Sequence, residues 1–180
     1  ADYIYKKRIE FLEEFLPIFS QYYTIVSGGK EQAGIEYRSS MQEGDLAELL
    51  AASRYKDDIL GYTTKGVHKD ELEMFLGEYP LKKVASQGQT KSFLVALKLA
   101  QFFFLKKSKG VTPILLLDDI FDKLDDNRVA QLVKLVGNDH FGQVFITDTQ
   151  RQRIKYLMDN TVVNHKIFKV NNGIISTDDE

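Results

Sequence analysis

The sequence predicts an α/β chain in which a parallel sheet core with a βαβ unit stands beside a small α+β lobe. Three observations carry this expectation. Residues 114–117 and 144–146 are unbroken apolar runs of strand length, and residues 128–136 between them repeat their apolar side chains at helical spacing. Parallel strands covered on both faces read as continuous apolar runs, so both strands are expected to be central. The amino-terminal third has a different texture, with amphipathic helices around short β-rich segments and glycine turns. We therefore expect the small lobe over residues 1–61 and the core over residues 62–180.

From the amino end, Tyr3, Ile4, Ile9, Leu12, Phe15, Leu16 and Phe19 recur at near-helical spacing. Pro17 lacks an amide donor and is expected to kink or finish this first helix. Lys6, Lys7 and Arg8 fall on its polar side, a pattern read as a solvated face before a DNA contact. Residues 22–26 and 35–39 are rich in β-formers and flank Ser27-Gly28-Gly29-Lys30, predicting a hairpin. Asp45 with Glu48 resembles a capping box, opening a helix that carries Leu46, Leu49, Leu50 and Ala52 and stops at Gly61. Residues 72–76 and 81–85 are expected as short strands around Gly77-Glu78. A helix over residues 90–107 follows, so apolar around its circumference, from Phe93 to Leu105, that it should be buried between other elements. Beyond the βαβ unit, a helix is expected around residues 151–158. Strands over 162–170 and 174–176 should flank the strong turn signal Asn171-Asn172-Gly173, and residues 177–180 should fray.

Composition excludes several kinds of chemistry. The chain of 180 residues has no cysteine and three scattered histidines, which removes thiolate nucleophiles, disulfides, iron–sulfur clusters and zinc knuckles. A metal here would be hard and oxygen-bound. With 24 basic against 26 acidic side chains the net charge is −2, which argues against coating nucleic acid over the whole surface and leaves room for a local basic patch. Lys82, Lys83, Lys106, Lys107, Lys109, Arg151 and Arg153 are basic groups that could meet a phosphate backbone. No run of eighteen apolar residues and no leader are visible, so no membrane association is expected and a cytoplasmic location is. The chain begins at Ala1 rather than at a methionine, and an upstream portion is expected.

Four constellations carry chemistry. Four apolar residues followed by Asp118-Asp119 would place two carboxylates at the carboxyl edge of a parallel sheet, where open α/β folds put their ligands. That is the Walker B arrangement: one carboxylate holds Mg²⁺ through its waters and the next orients a water against a γ-phosphate. The plainer reading is a pair of acids capping the following helix. Ser86-Gln87-Gly88-Gln89 precedes the long apolar helix, and a small-residue turn at a helix amino terminus is either a phosphate site or an ordinary N-cap. Asp122-Lys123-Leu124-Asp125, with Asp118, Asp119 and Asp126, makes five carboxylates within nine residues, a density that asks for a nearby cation or hydrogen-bond donors. The fourth, Gly66-Val67-His68-Lys69-Asp70-Glu71-Leu72, reads alone as a charged surface turn.

In order, the four resemble the RecF family, ABC-type ATPases of DNA replication and repair. The stretch from Gly66 through His68, Lys69 and Asp70 to Leu72 resembles the family's Gly-Pro-His-Arg-Asp-Asp-Leu. Ser86, Gln87, Gly88 and Gln89 resemble its variant of the ABC signature motif, Asp118-Asp119 its Walker B acids, and Asp122, Leu124 and Asp125 its D-loop. Tyr37-Arg38-Ser39-Ser40, Ala51-Ala52-Ser53-Arg54 and Gly61-Tyr62-Thr63 are similar to the family as well.

The resemblance implies a P-loop NTPase fold of ABC type, an SMC-like head, in which Asp118 meets Mg²⁺ through water and Asp119 is the catalytic base. Thr147-Asp148 falls at the switch position, with aspartate where histidine is usual, and Asp119 stands where most ABC ATPases have glutamate. A P-loop, G-x-x-x-x-G-K-S/T, is absent: Gly28-Gly29-Lys30 lacks the leading glycine and runs into Glu31. In the family that loop lies near the amino terminus, so this chain is expected to be the carboxyl-terminal half, inactive alone and without tightly bound ATP or Mg²⁺, both of which the full-length protein would use. Implied partners are a second copy joined through ATP, DNA at gaps or single-strand/double-strand junctions, and RecR/RecO-type recombination mediators in the SOS response. Two other readings stand beside this one. A Mg²⁺-dependent nuclease or phosphatase could be built directly on Asp118, Asp119 and Asp122, or the acids could be structural in a non-catalytic interaction domain.

Overall fold

The structure, a computed structural model, describes residues 1–137, 140–150 and 164–177. Helix α1 spans Asp2–Ser27, and Pro17 lies inside it without ending it. An interior proline costs about 3 kcal/mol. The helix buries Leu12, Phe15, Phe19, Tyr22, Tyr23 and Val26, and each large apolar side chain removed from water is worth roughly 1.5–3 kcal/mol, so packing wins. The same packing overrides the β-formers at residues 22–26, expected as a strand. They form the last turns of α1, with Tyr22 stacked on Phe103 at 4.6 Å and Phe19 against Phe93 at 4.7 Å. Gly28 then closes the helix at a left-handed φ of 68°.

Strand β1, Ala33–Arg38, has its partner far along the chain. It pairs antiparallel with β2, Glu71–Leu76, in the register Ala33↔Leu76 to Arg38↔Glu71. The two-residue strand β3, Tyr79–Pro80, adds to β2 across Gly77-Glu78, Gly77 taking a φ of 58°. This sheet joins segments on either side of residue 61. Between β1 and β2 lies α2, Leu46–Leu60, whose Asp45 carboxylate accepts from the amides of Ala47 at 2.8 Å and Glu48 at 3.3 Å. Residues 81–85, expected as a strand, instead turn into the short helix α3, Leu81–Val84. Pro80 cannot donate to a further ladder, and the turn sends Leu81 into the core.

Helix α4, Gln87–Lys109, starts three residues earlier than expected. It buries Phe93, Val95, Leu99 and Phe102, but Leu94 is 50% exposed, so it is covered on two sides rather than all round. The βαβ unit is present as expected: β4, Leu115–Leu117, then α5, Asp126–Val136, then β5, Val144–Ile146, with parallel register from Leu115↔Val144 to Leu117↔Ile146. The strands are not central among the described residues. They form a two-stranded sheet whose inner side chains, Leu115 and Leu117, join the core while Leu116 is 62% and Phe145 48% exposed. Parallel sheets are normally covered on both faces, so this outer face is an incomplete one.

Strands β6, Phe168–Asn171, and β7, Ile174–Thr177, make the expected hairpin. Asn172 and Gly173 both have positive φ, 48° and 80°, as a two-residue type I′ turn requires. Thr177 belongs to β7. The helix expected at 151–158, with Arg151 and Arg153, residues 162–163 of the strand expected over 162–170, and the last three residues lie outside the described residues; residues 164–167 are not strand, so that strand begins only at Phe168. Among the described residues no helix is long and apolar enough to cross a membrane.

Candidate functional site

The carboxyl ends of β4 and β5 bring Asp118, Asp119 and Thr147 together. The Thr147 amide donates to the Leu117 carbonyl at 3.0 Å, extending the parallel ladder by one step. This puts the Thr147 hydroxyl between the acids: it donates to Asp118 Oδ1 and accepts from the Asp119 amide at 3.0 Å. Asp119 has a φ of 46°, the left-handed region that a non-glycine residue enters at a cost of about 1–2 kcal/mol. The Lys91 ammonium donates to the Asp119 carbonyl at 2.8 Å and helps hold that turn. Both acids are exposed. Among the described residues no hydrogen bond holds the Asp119 carboxylate, which is free to face a ligand or water. Asp148 does not join them; its Oδ1 accepts from the Gln150 amide within its own turn.

Asp118 and Asp119 cap no helix, because α5 begins at Asp126 and its cap is Asp125, which accepts from the Arg128 amide at 2.9 Å. That amide, then burial acting the other way, then the Arg128 charge set the Asp125 carboxyl below its ordinary range. Asp122 pairs loosely with Lys123 at 3.7 Å. The five carboxylates are thus dispersed, and among the described residues no three acids or histidines cluster as metal ligands. A metal centre built directly on Asp118, Asp119 and Asp122 is not what the geometry shows. Leu124 is buried and anchors the turn to the core.

The Ser86 turn lies against this D-loop-like segment. Ser86 is the N-cap of α4 in a complete capping box: its hydroxyl accepts from the Gln89 amide at 3.2 Å, and Gln89 Oε1 accepts from the Ser86 amide at 2.7 Å. Of the first-turn amides, those of Gln87 and Gly88 are left without a partner among the described residues, as helix amino termini leave them. Gly88 is required by contact, since a Cβ there would stand 2.9 Å from the Lys123 carbonyl oxygen. Lys123 itself has a φ of 65°. The turn has the chemistry to take an anion: two free amides, the positive end of a long helix and no side chain at Gly88.

Residues that the sequence reading passed over hold these two segments together. The Arg128 guanidinium, 13% exposed, donates through Nε to Asp125 at 3.2 Å, through Nη1 to the Ser92 hydroxyl at 2.7 Å, and through Nη2 to Glu31 Oε1 at 2.7 Å. Ser92, fully buried, passes its own proton to the Gly88 carbonyl at 2.8 Å. Glu31 also accepts from Tyr23 at 2.8 Å and from Gln89 Nε2 at 3.1 Å. Burial pushes the Glu31 carboxyl up, but its donors Tyr23, Gln89 and Arg128 outweigh that and leave it below its usual value. Burial and the Glu31 charge both push the Tyr23 hydroxyl up. The one signal in sequence was Asp125 three residues before Arg128, the spacing of an N-cap and its partner.

The stretch from Gly66 to Leu72 sits elsewhere, at the junction of α1, β1 and β2. Asp70 accepts from Arg8 and Tyr37. Burial raises its carboxyl, and the Ser39 and Tyr37 hydroxyls with Arg8 more than reverse the effect, holding it below the ordinary range. The Gly66 amide donates to Ser40 at 2.8 Å, His68 Nε2 lies 3.1 Å from the Thr63 hydroxyl, and Lys69 stands over the Tyr62 ring at 4.5 Å. Arg8, expected on a solvated face, is therefore a tie between α1 and this junction.

No family model matches the chain. It is similar to the curated DNA replication and repair protein RecF of Bacteroides thetaiotaomicron, 50% identical over 176 residues, which are 98% of this chain and 48% of that protein. The chain thus spans about half the length of the curated relatives it matches. A solved structure of the recombination mediator protein RecF with ATP, of the RecFOR pathway, superimposes with a TM-score of 0.70 at 25% identity, over 97% of this chain and 46% of that one. An SMC ATPase from work on ATP-driven dimerization and DNA-stimulated activation has a TM-score of 0.57 at 17% identity, over 96% and 86% of the two chains. It shows the fold: a head of the P-loop NTPase, ABC type.

Proposed function

This chain belongs to the RecF family, corresponding to the carboxyl-terminal half of its members, and we propose that it supplies one side of a composite nucleotide site in an ATP-dependent recombination and repair protein that acts as a pair. The observation that carries this reading is the placement of Asp118, Asp119 and Thr147 on one sheet edge, with an amide-rich helix start packed against the turn that follows that edge. In ABC-type pairs the first group faces the nucleotide of its own copy and the second faces that of the partner. Residues 62–180 carry these motifs and residues 1–61 brace them.

The residues present suit nucleotide and Mg²⁺ in part. Among the described residues Thr147 holds one Asp118 carboxylate oxygen and the other has no hydrogen bond, which suits contact with the waters of a partly hydrated cation. Mg²⁺ with ATP would neutralise phosphate charge. Asp119, exposed and with no hydrogen bond to its carboxylate among the described residues, would orient a water and accept its proton. Ser86, Gln87, Gly88 and Gln89 offer amides and a hydroxyl to the phosphates held by the other copy, and Asp122, Leu124 and Asp125 shape the turn beside them. The lysine and amide cradle of a P-loop is supplied by residues other than these. DNA at gaps or junctions and RecR/RecO-type mediators are the partners this reading implies, with a cytoplasmic setting. The exposed Leu116 and Phe145 face supports the same picture, because the other half of a full-length relative would have an apolar surface to cover.

Paired substitutions in the full-length protein test the assignment. Asp119→Asn should keep nucleotide binding and ATP-dependent pairing while turnover falls by about 10²-fold, the scale of a positioned base. Asp118→Asn should weaken Mg²⁺-dependent nucleotide binding itself. Equal behaviour of the two, or full turnover by Asp119→Asn, would refute the roles.

A further inference from the structure

We infer that Glu31 and Arg128 are a positioning pair that fixes the Ser86 turn and the Asp122–Asp125 turn as one rigid surface for a second copy of this chain, an inference that rests on the proposed composite site. Glu31 belongs to no helix or strand, yet its carboxylate gathers donors from three helices: Tyr23 of α1, Gln89 of α4 and Arg128 of α5. Arg128 spreads its three nitrogens over Asp125, Ser92 and Glu31. Two of these contacts end in the segments that the proposed pairing uses, at Asp125 and Gln89, and a third reaches one of them through Ser92. Asp125 shapes one turn. Ser92 holds the Gly88 carbonyl, and Gln89 closes the capping box of the other. With Gly88 already touching the Lys123 carbonyl, the spacing between the turns is set twice, once by backbone contact and once by this fork.

The geometry is specific to the side chains present. A planar guanidinium reaches three acceptors in fixed directions, whereas a lysine ammonium is a single point of charge and can satisfy only part of the set. Arg128 is 13% and Glu31 19% exposed, so neither loses its partner to water cheaply. A pair that served stability alone would need no connection to Gln89 and Asp125 together; this one ends on both. Breaking it would leave the Gly88–Lys123 backbone contact without this second brace, and a surface that must meet its copy would lose part of its preorganised shape.

The test uses full-length protein carrying Arg128→Lys, Glu31→Gln or both, with Ser86→Arg as a reference. Nucleotide affinity of the monomer, the melting temperature and the concentration of ATP analogue at which half the protein is paired are measured for each. Each single variant should bind nucleotide within about twofold of the parent and need at least about tenfold more analogue or protein to pair, and the double should be no worse than the poorer single within about twofold, as members of one network behave. Independent, multiplicative losses would overturn the pair. Unchanged pairing with only a lowered melting temperature would overturn it too, by making the contacts structural. If Arg128→Lys does not fold, Glu31→Gln decides alone, since it keeps the volume and one acceptor oxygen; normal pairing by it overturns the inference. Ser86→Arg separates the two levels: if it stays monomeric while the Glu31 and Arg128 variants pair normally, the positioning role fails and the composite site stands. Normal pairing by Ser86→Arg removes the site itself, and the inference with it.

Discussion

Two neighbouring regions of this chain are built to opposite specifications. The Ser86 and Asp122–Asp125 turns are cross-linked by Arg128, Glu31, Gln89 and Ser92, with a glycine held at contact distance. The Asp118–Asp119 edge is held by Thr147 and by Lys91 on the Asp119 carbonyl, and among the described residues the Asp119 carboxylate is left unheld. A surface that presents amides to an anion gains from rigidity, because a loose turn must be ordered on each encounter. A carboxylate that exchanges water and protons needs unused hydrogen-bonding capacity, and a fully satisfied one would have none. On the proposed reading, the difference in bracing separates a part that shapes from a part that reacts.

The comparison breaks most readily at Gly88. Gly88→Ala should force the Lys123 carbonyl away from α4 and cost about 1–3 kcal/mol, the scale of overpacking in a close-packed site. A denaturant titration of the chain measures it, and no change in midpoint would mean the two turns are not in fixed contact. On the open side, Thr147→Ala should lower turnover of the full-length protein by about tenfold, or about 1.4 kcal/mol, because the Asp119 turn loses the Thr147 tie to β5. Thr147→Ser keeps the hydroxyl and should restore most of the rate; equal loss in both would show that the methyl, and not the hydrogen bond, matters.

A control outside both regions is Asp70. Its carboxyl lies below its ordinary value of 3.8 in the folded chain, so it is more readily ionised there than in the unfolded chain. The stabilisation is complete above that ordinary value and is lost as the pH falls through the folded one. Asp70→Asn should therefore lower stability by about 1 kcal/mol at pH 7, with the gap to the parent closing below about pH 4. A gap that stays constant down to the acid transition would show that packing, and not the charge on Asp70, supports the Arg8–Tyr37 junction. Smallest of all is the response of this chain alone to Mg-ATP. Calorimetry should find binding weaker than micromolar, since the triphosphate cradle is not among its residues.

The sheet core was legible because its code is local. Residues 114–117 and 144–146 are apolar runs of strand length and residues 128–136 between them have helical periodicity, so the parallel pair and the acids at its carboxyl edge followed from one segment of chain, although burial of both sheet faces did not. Asn172-Gly173 announced its turn for the same reason. Where the outcome depended on distant partners the sequence misled: Tyr22 and Tyr23 favour strands intrinsically, but the Phe103 and Phe93 rings of α4 pack against them and hold them in a helix. Their expected hairpin partner paired instead with β2. Glu31 and Arg128 stand 97 positions apart, and nothing within reach of either reveals the other. Glu31 entered the sequence reading only as a residue that spoils a P-loop, and the fold makes it the meeting point of three helices.

The most direct measurement is the oligomeric state of full-length Ser86→Arg, read by sizing chromatography with light scattering in the presence of Mg²⁺ and a slowly hydrolysed ATP analogue. An arginine at the α4 cap would fill the space before the Gln87 and Gly88 amides while leaving the protein's own nucleotide cradle untouched. The expected result is a monomer that still binds the analogue with parental affinity, beside a parent that pairs. Dimers of Ser86→Arg formed at the same analogue concentration as the parent would contradict a composite site completed by this turn.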